Sequence, residues 1–131
     1  MTSTPRPLIL VVDDEPSIVS FVREALEDEG YTVATAQDGP SAITAARQSQ
    51  PALVLVDMVM PSMSGVELIH QLLADPLIPP FTALMMSATP PPRIAETGAA
   101  GYIVKPFAVA TLLELIDDIL TDIAPNGQDA E

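Results

Sequence analysis

Cysteine is absent from the chain, which removes disulfides, thiolate nucleophiles and cysteine metal sites together. A single histidine, His70, excludes a histidine-rich metal centre and is expected to serve a surface or packing role. Cations are scarce: five Lys and Arg stand against 18 Asp and Glu, a formal net charge of -13. Nucleic acid phosphates must be met by several cations, so no direct nucleic acid binding is expected, and partners should offer basic or apolar surfaces. No apolar run is long enough to cross a bilayer, and the residues after Met1 lack the basic start, apolar segment and cleavage site of an export signal. The expectation is a cytoplasmic protein without membrane contact.

What is present is apolar and interrupted. Of 131 residues 48% are hydrophobic, enough for one domain with a proper core, while 14 prolines punctuate it. The predicted organisation is one domain over 1–131, with a folded core at about 7–123 and a polar tail at 124–131. "LILVV" at 8–12 reads as a strand covered on both faces. From Ile18 the period changes: Ile18, Val22, Ala25 and Leu26 share a helical stripe, with Pro16 at an early helical position and Gly30 as a stop. "YTVATA", "PALVLVDM", "FTALMMSA" and "GYIVKP" read as further strands, alternating with helices over "DGPSAITAARQS" and about 64–73; "DPLIPP" must be a loop. The last helix follows Pro106 and carries Leu112, Ile116, Ile119 and Ile123 on one side. Strands alternating with helices predict an α/β fold, a doubly wound parallel sheet with right-handed crossovers, whose function gathers beyond the carboxyl ends of the strands.

At those ends stand Asp13 and Asp14 after the first strand, Asp57 on the third, Ser87 on the fourth and Lys105 after the fifth. If the first and third strands are neighbours, three carboxylates converge and something cationic must compensate them. Hard oxygen ligands suit Mg2+, above all with a phosphoryl group completing its shell. Lys105 adds a fixed positive charge and Ser87 a hydroxyl donor, the set required around a phosphoryl group on a carboxylate. Asp57, ending the central strand, is the best-placed nucleophile. Glu15 suits a helix start, where the dipole favours an acid. Met58, Met60, Met63, Met85 and Met86 are expected to pack in the core or loops, because hard Mg2+ does not select thioethers.

The stretches "LVVDDEP", "LVLVDMVMPSMSG", "LMMSAT" and "GYIVKPF" together resemble the receiver domain of two-component response regulators, in particular the single-domain, chemotaxis-regulator-like type, over roughly residues 7 to 123. The resemblance implies a flavodoxin-like, five-stranded sheet of order 2-1-3-4-5. It implies that Asp57 takes a phosphoryl group from a phosphohistidine on a sensor histidine kinase or histidine phosphotransfer protein. Asp13, Asp14, Asp57 and the Val59 carbonyl would hold Mg2+, and Lys105 would grip the phosphoryl group. Ser87 would be the switching hydroxyl and Tyr102 an aromatic that turns inward, remodelling the face around the fourth helix, fifth strand and last helix for a downstream protein target. It also makes the bond before Pro106 the usual place for a cis peptide and Gly65 a point of close backbone approach.

Two departures from the family pattern stand out. "SATPPPRIAETGAAGYIVK" is shorter than usual by about one helical turn, and Pro90, Pro91 and Pro92 force the fourth helix to begin near Arg93, leaving it shortened or disordered. Val59 and Thr89, at positions that influence hydrolysis, offer neither acid nor amide to orient water, so slow self-dephosphorylation is expected. The leading expectation is thus a signalling switch that phosphorylates itself without turning over an external substrate. An adaptor working through protein binding largely independent of phosphorylation is the alternative, prompted by "TPPPR". A magnesium-dependent phosphatase is disfavoured, since no acid stands two residues after Asp57. Only a short polar stretch follows the last helix, so no output domain is expected there.

Overall fold

The computed structural model describes residues 7–91 and 93–122. The proposed tail at 124–131 and the predicted apolar position Ile123 lie outside the described residues. Five strands, β1 (Leu8–Val12), β2 (Thr32–Ala36), β3 (Leu53–Asp57), β4 (Thr82–Ser87) and β5 (Gly101–Val104), form one parallel sheet of order β2-β1-β3-β4-β5. Four α-helices connect or follow them: α1 (Pro16–Asp28), α2 (Gly39–Ser49), α3 (Gly65–Ala74) and α4 (Val109–Asp122).

The apolar strands alternate between two cores. Leu10, Val12, Val54, Val56 and Met85 face α2 and α3, where Ala42, Ala46, Leu68, Ile69 and Leu72 cover them. Ile9, Val11, Leu53, Leu55, Leu84 and Met86 face the opposite side, covered by Val22 and Leu26 of α1 and Leu112 and Ile116 of α4. Successive strand side chains point to opposite faces, so an unbroken apolar run belongs where both faces are buried. Full burial of a Leu or Ile contributes about 1.5–3 kcal/mol, which makes these alternating rows the main support of the sheet.

Local signals set the helix ends. Pro16 opens α1, where its missing N–H has no partner to lose, and Gly30 follows it at φ 93. Asp38 caps α2 by accepting from the Ser41 N–H at 2.9 Å, and Ser64 caps α3 by accepting from the Glu67 N–H at 3.1 Å.

Between β4 and β5 the shortened fourth helix is a single 3-10 turn, Ile94–Thr97, entered through Arg93 at φ 53. Its start agrees with the late onset that the prolines predict. Thr97 Oγ1 donates to the Ile94 carbonyl at 2.6 Å and accepts from the Ala99 N–H at 3.1 Å, closing the turn. The turn is tied to α3 by His70 Nε2, 3.2 Å from the Glu96 carbonyl oxygen, and by Gly98, which lies against Leu73 and Ile69.

Candidate functional site

The β1/β3 junction is where strand order reverses, because the chain leaves β1 for β2 on one side and reaches β3 on the other. Such a junction opens a crevice beyond the strand ends. Val12 pairs with Val56, Asp57 with Met86 and Ser87 with Val104, so the ends of β1, β3, β4 and β5 line up. Asp13, Asp14 and Lys105 emerge directly after theirs. The register therefore brings together residues that are 92 positions apart in the case of Asp13 and Lys105.

Asp13 is fully buried, Asp57 is 8% exposed and Asp14 is half-buried. One carboxylate oxygen from each lies within 4.8 Å of the others. Lys105 Nζ donates to Asp13 Oδ2 at 2.9 Å and sits 3.2 Å from Asp57 Oδ1, with Glu15 Oε1 at 3.8 Å on its outer side. Asp13 Oδ1 accepts from the Glu15 N–H at 3.0 Å, which fixes the carboxylate and the first residue of the helix entry together. Glu15 thus stands at the start of α1, as its charge suits, and also completes the acidic surround of the lysine.

These charges perturb one another. Burial pushes the Asp57 carboxyl above its ordinary range and the neighbouring Asp13 charge adds to this, while Lys105 only partly offsets both. For Lys105, burial disfavours the ammonium, but hydrogen bonding and charge from Asp13, then from Asp57, outweigh it and raise its pKa. One lysine serves two buried acids, and a third acid at the rim has no cation of its own within the set. A hard divalent cation fits that donor set: three carboxylates grouped within reach of one ion, with no sulfur or imidazole among them.

The remaining predicted residues lie on or just after the same strands. Ser87 is 2% exposed, and its hydroxyl donates to the Thr89 carbonyl while accepting from the Thr89 N–H at 3.3 Å; it is turned into its own loop. Thr89, two residues after the end of β4, is exposed, and Val59, two residues after the end of β3, is 75% exposed. Tyr102 lies on β5 with 37% of its surface exposed, an outward position. The Lys105–Pro106 peptide is cis, as the family pattern suggested. Gly65 is required by sterics: a Cβ there would fall onto the Asp57 carbonyl oxygen and 2.9 Å from Met58 Cα, while its N–H donates to the Met58 carbonyl at 2.8 Å.

Sequence reasoning overlooked two contacts. Met58 Sδ lies 3.2 Å from Ser87 Oγ, a polar contact for a residue assigned to packing alone. The Asp57–Met86 pairing carries the signal for it, since the residues following each must then be neighbours. The Arg47–Asp75 ion pair, at 2.8 Å, joins α2 to the end of α3 and has no counterpart in either local pattern.

Residues 9–117 match the model of the response regulator receiver domain. The chain is 41% identical over 103 residues to the probable transcriptional regulatory protein TcrX of Mycobacterium tuberculosis, covering 77% of this chain and 44% of that protein. It is 38% identical over 105 residues to the DNA-binding response regulator MtrA of Mycolicibacterium smegmatis, covering 79% and 46% respectively. The chain therefore spans about half the length of these relatives. Among solved structures, chemotaxis protein CheY4 of Vibrio cholerae superposes with a TM-score of 0.80 at 33% identity, over 86% of this chain and 97% of that one.

Proposed function

The chain belongs to the response regulator receiver domain family, and from that premise we propose that Asp57 is the residue through which it acts as a phosphoacceptor switch. The convergence of Asp13, Asp14, Asp57 and Lys105 at aligned strand ends is the observation that carries this reading. Asp57 is the acceptor because its carboxylate ends the central strand and is reached by both the acidic pair and the lysine. Its oxygen attacks the phosphorus of a phosphohistidine, the N–P bond breaks, and the imidazole leaves.

Mg2+ is the ion this donor set suits, held by Asp13, Asp14 and Asp57 with the Val59 carbonyl as a further oxygen. When bound it supplies positive charge to the phosphoryl oxygens. The chain's own groups do the rest: Lys105 orients and neutralises the phosphoryl group, and Ser87 releases Thr89 to donate to it. That release frees the segment leading to the 3-10 turn. Tyr102, now outward, turns in as the face between the turn, β5 and α4 is repacked for a target protein. Val59 and Thr89 bring no acid or amide to the attacking water, so the phosphoryl group is lost slowly.

The donor is a sensor histidine kinase or a histidine phosphotransfer protein, and the exchange belongs to the cytoplasm. Among the described residues every Lys and Arg is in an ion pair, which supports a protein partner rather than nucleic acid. No helix among the described residues is long and apolar enough to cross a membrane. The test is radiolabel transfer from a panel of phosphorylated kinases and phosphotransfer proteins, with Asp57→Asn as control. Transfer to the wild type and none to a folded Asp57→Asn chain is expected; equal labelling of both would refute the assignment.

A further inference from the structure

Met58 follows Asp57 and is half-buried, whereas Met60 at 7% exposure and Met85 and Met86 at 0% are sealed in the cores. Its sulfur lies 3.2 Å from the hydroxyl oxygen of Ser87. That hydroxyl has one proton to give, and its two available acceptors are the Thr89 carbonyl and the Met58 thioether. A thioether is a weak acceptor, so the carbonyl dominates at present. The weak acceptor, however, is the one that ordinary oxidation converts into a strong one.

We propose that Met58 is a peroxide-oxidised modification site whose sulfoxide oxygen holds the Ser87 hydroxyl away from the phosphoryl group on Asp57. This rests on the role assigned to Ser87 above. The Met58 sulfur lone pair attacks one oxygen of hydrogen peroxide, and an S–O bond forms as the O–O bond breaks. Sulfur gives up two electrons, and the proton on the new S–OH passes to the departing hydroxide, leaving sulfoxide and one water. The product replaces a soft apolar atom with a polar acceptor directly beside a buried hydroxyl. Ser87 then has two good acceptors in its resting position and must leave both to reach the phosphoryl group. Exposure directs the chemistry to Met58 over the sealed methionines. Met63, also half-buried, lies instead against Gly39 and serves as an internal control for oxidation elsewhere on the rim.

The experiment treats the full chain with hydrogen peroxide, maps the oxidised methionines by peptide mass spectrometry, and titrates beryllofluoride with Mg2+ as the phosphoryl mimic. Met58 is expected to gain an oxygen before Met60, Met85 and Met86, and the mimic's affinity to fall about threefold to tenfold, the worth of one hydrogen bond. Met58→Leu should bind the mimic like the unoxidised wild type and be insensitive to peroxide. Met58→Gln, with an amide oxygen at similar reach, should bind weakly without peroxide. Oxidation should cause no further loss in Ser87→Ala. Equal affinity before and after Met58 oxidation overturns the inference, as does a peroxide effect that survives in Met58→Leu. Failure of the unoxidised protein to bind the mimic instead sinks the phosphoacceptor reading, and the inference with it.

Discussion

Replacing Lys105 with methionine keeps the aliphatic stem and removes the one cation facing two buried acids. Nζ lies 2.9 Å from Asp13 and 3.2 Å from Asp57, and at an effective dielectric near 20 each pairing is worth about 5 kcal/mol gross. Desolvation of the ammonium offsets part of this, and protonation limits the rest. Once the lysine is gone, Asp57, already pushed up by burial and by Asp13, is pushed further in the same direction. Holding a carboxyl protonated at pH 7 when its unfolded value is near 3.9 costs about 4 kcal/mol, the most that protonation of one acid can contribute. We therefore expect Lys105→Met to be less stable by about 3–4 kcal/mol at pH 7 in chelator, within the usual range for breaking a buried pair. The sign with pH follows from a raised folded pKa: stability is lost as pH rises from the ordinary carboxylate range toward the folded value. The deficit should thus shrink on acidification and be smallest in the ordinary carboxylate range. Urea unfolding followed by circular dichroism at several pH values measures it, with Mg2+ expected to restore much of the loss by binding the freed acids. A deficit under about 1 kcal/mol at pH 7, or one of constant size across this pH range, would refute the electrostatic account.

Asp57→Asn should unfold at a higher temperature than the wild type in chelator near pH 7, because it removes a charge whose folded form is disfavoured by burial and by Asp13; an unchanged or lower midpoint would contradict that cause. Gly65→Ala should cost about 1–3 kcal/mol by forcing a methyl against the backbone of Asp57 and Met58, and should slow phosphotransfer more than a surface substitution of equal stability cost. The isolated acylphosphate should persist for minutes or longer with Mg2+, since neither Val59 nor Thr89 positions water; decay within seconds, followed by phosphate release, would show that another group does so.

The fold was legible because two independent patterns agreed. Unbroken apolar runs in β1, β3 and β4 demanded strands buried on both faces, and each of these three runs ended in a residue able to do chemistry. Parallel connection then required those ends to share one edge. The three prolines after Thr89 likewise disclosed the shortened fourth helix, since proline's missing N–H acts locally. What escaped was set by tertiary placement. Nothing within "SAT" tells whether the Ser87 hydroxyl points to its own loop or to Asp57, because a serine hydroxyl rotates to the nearest acceptor. Glu15 carries a helix-start signal, and only the proximity of Lys105 adds its second role. A surface or packing role suits His70 on its helix; its contact with the Glu96 carbonyl joins residues 26 apart, which no local pattern discloses.

The acids at the mouth of β1 can now be weighed as a charge balance. Asp13, Asp14 and Asp57 present three carboxylates and Lys105 a single ammonium, a formal surplus of two negative charges in a crevice whose inner wall is fully buried. A monovalent cation leaves that surplus half met, whereas one divalent cation cancels it, which is why the set suits a divalent ion rather than merely attracting cations. Phosphorylation of Asp57, as proposed, would disturb the balance again, because the acceptor would change from one negative charge to nearly two. The added charge has two places to be met: the existing lysine and metal, or a new donor. Ser87 is the buried hydroxyl at the adjacent strand end, and at rest it is committed to the Thr89 carbonyl. As proposed, electrostatic demand at Asp57 would thereby be converted into a choice of partner for Ser87, which would abandon the Thr89 carbonyl that it holds at rest.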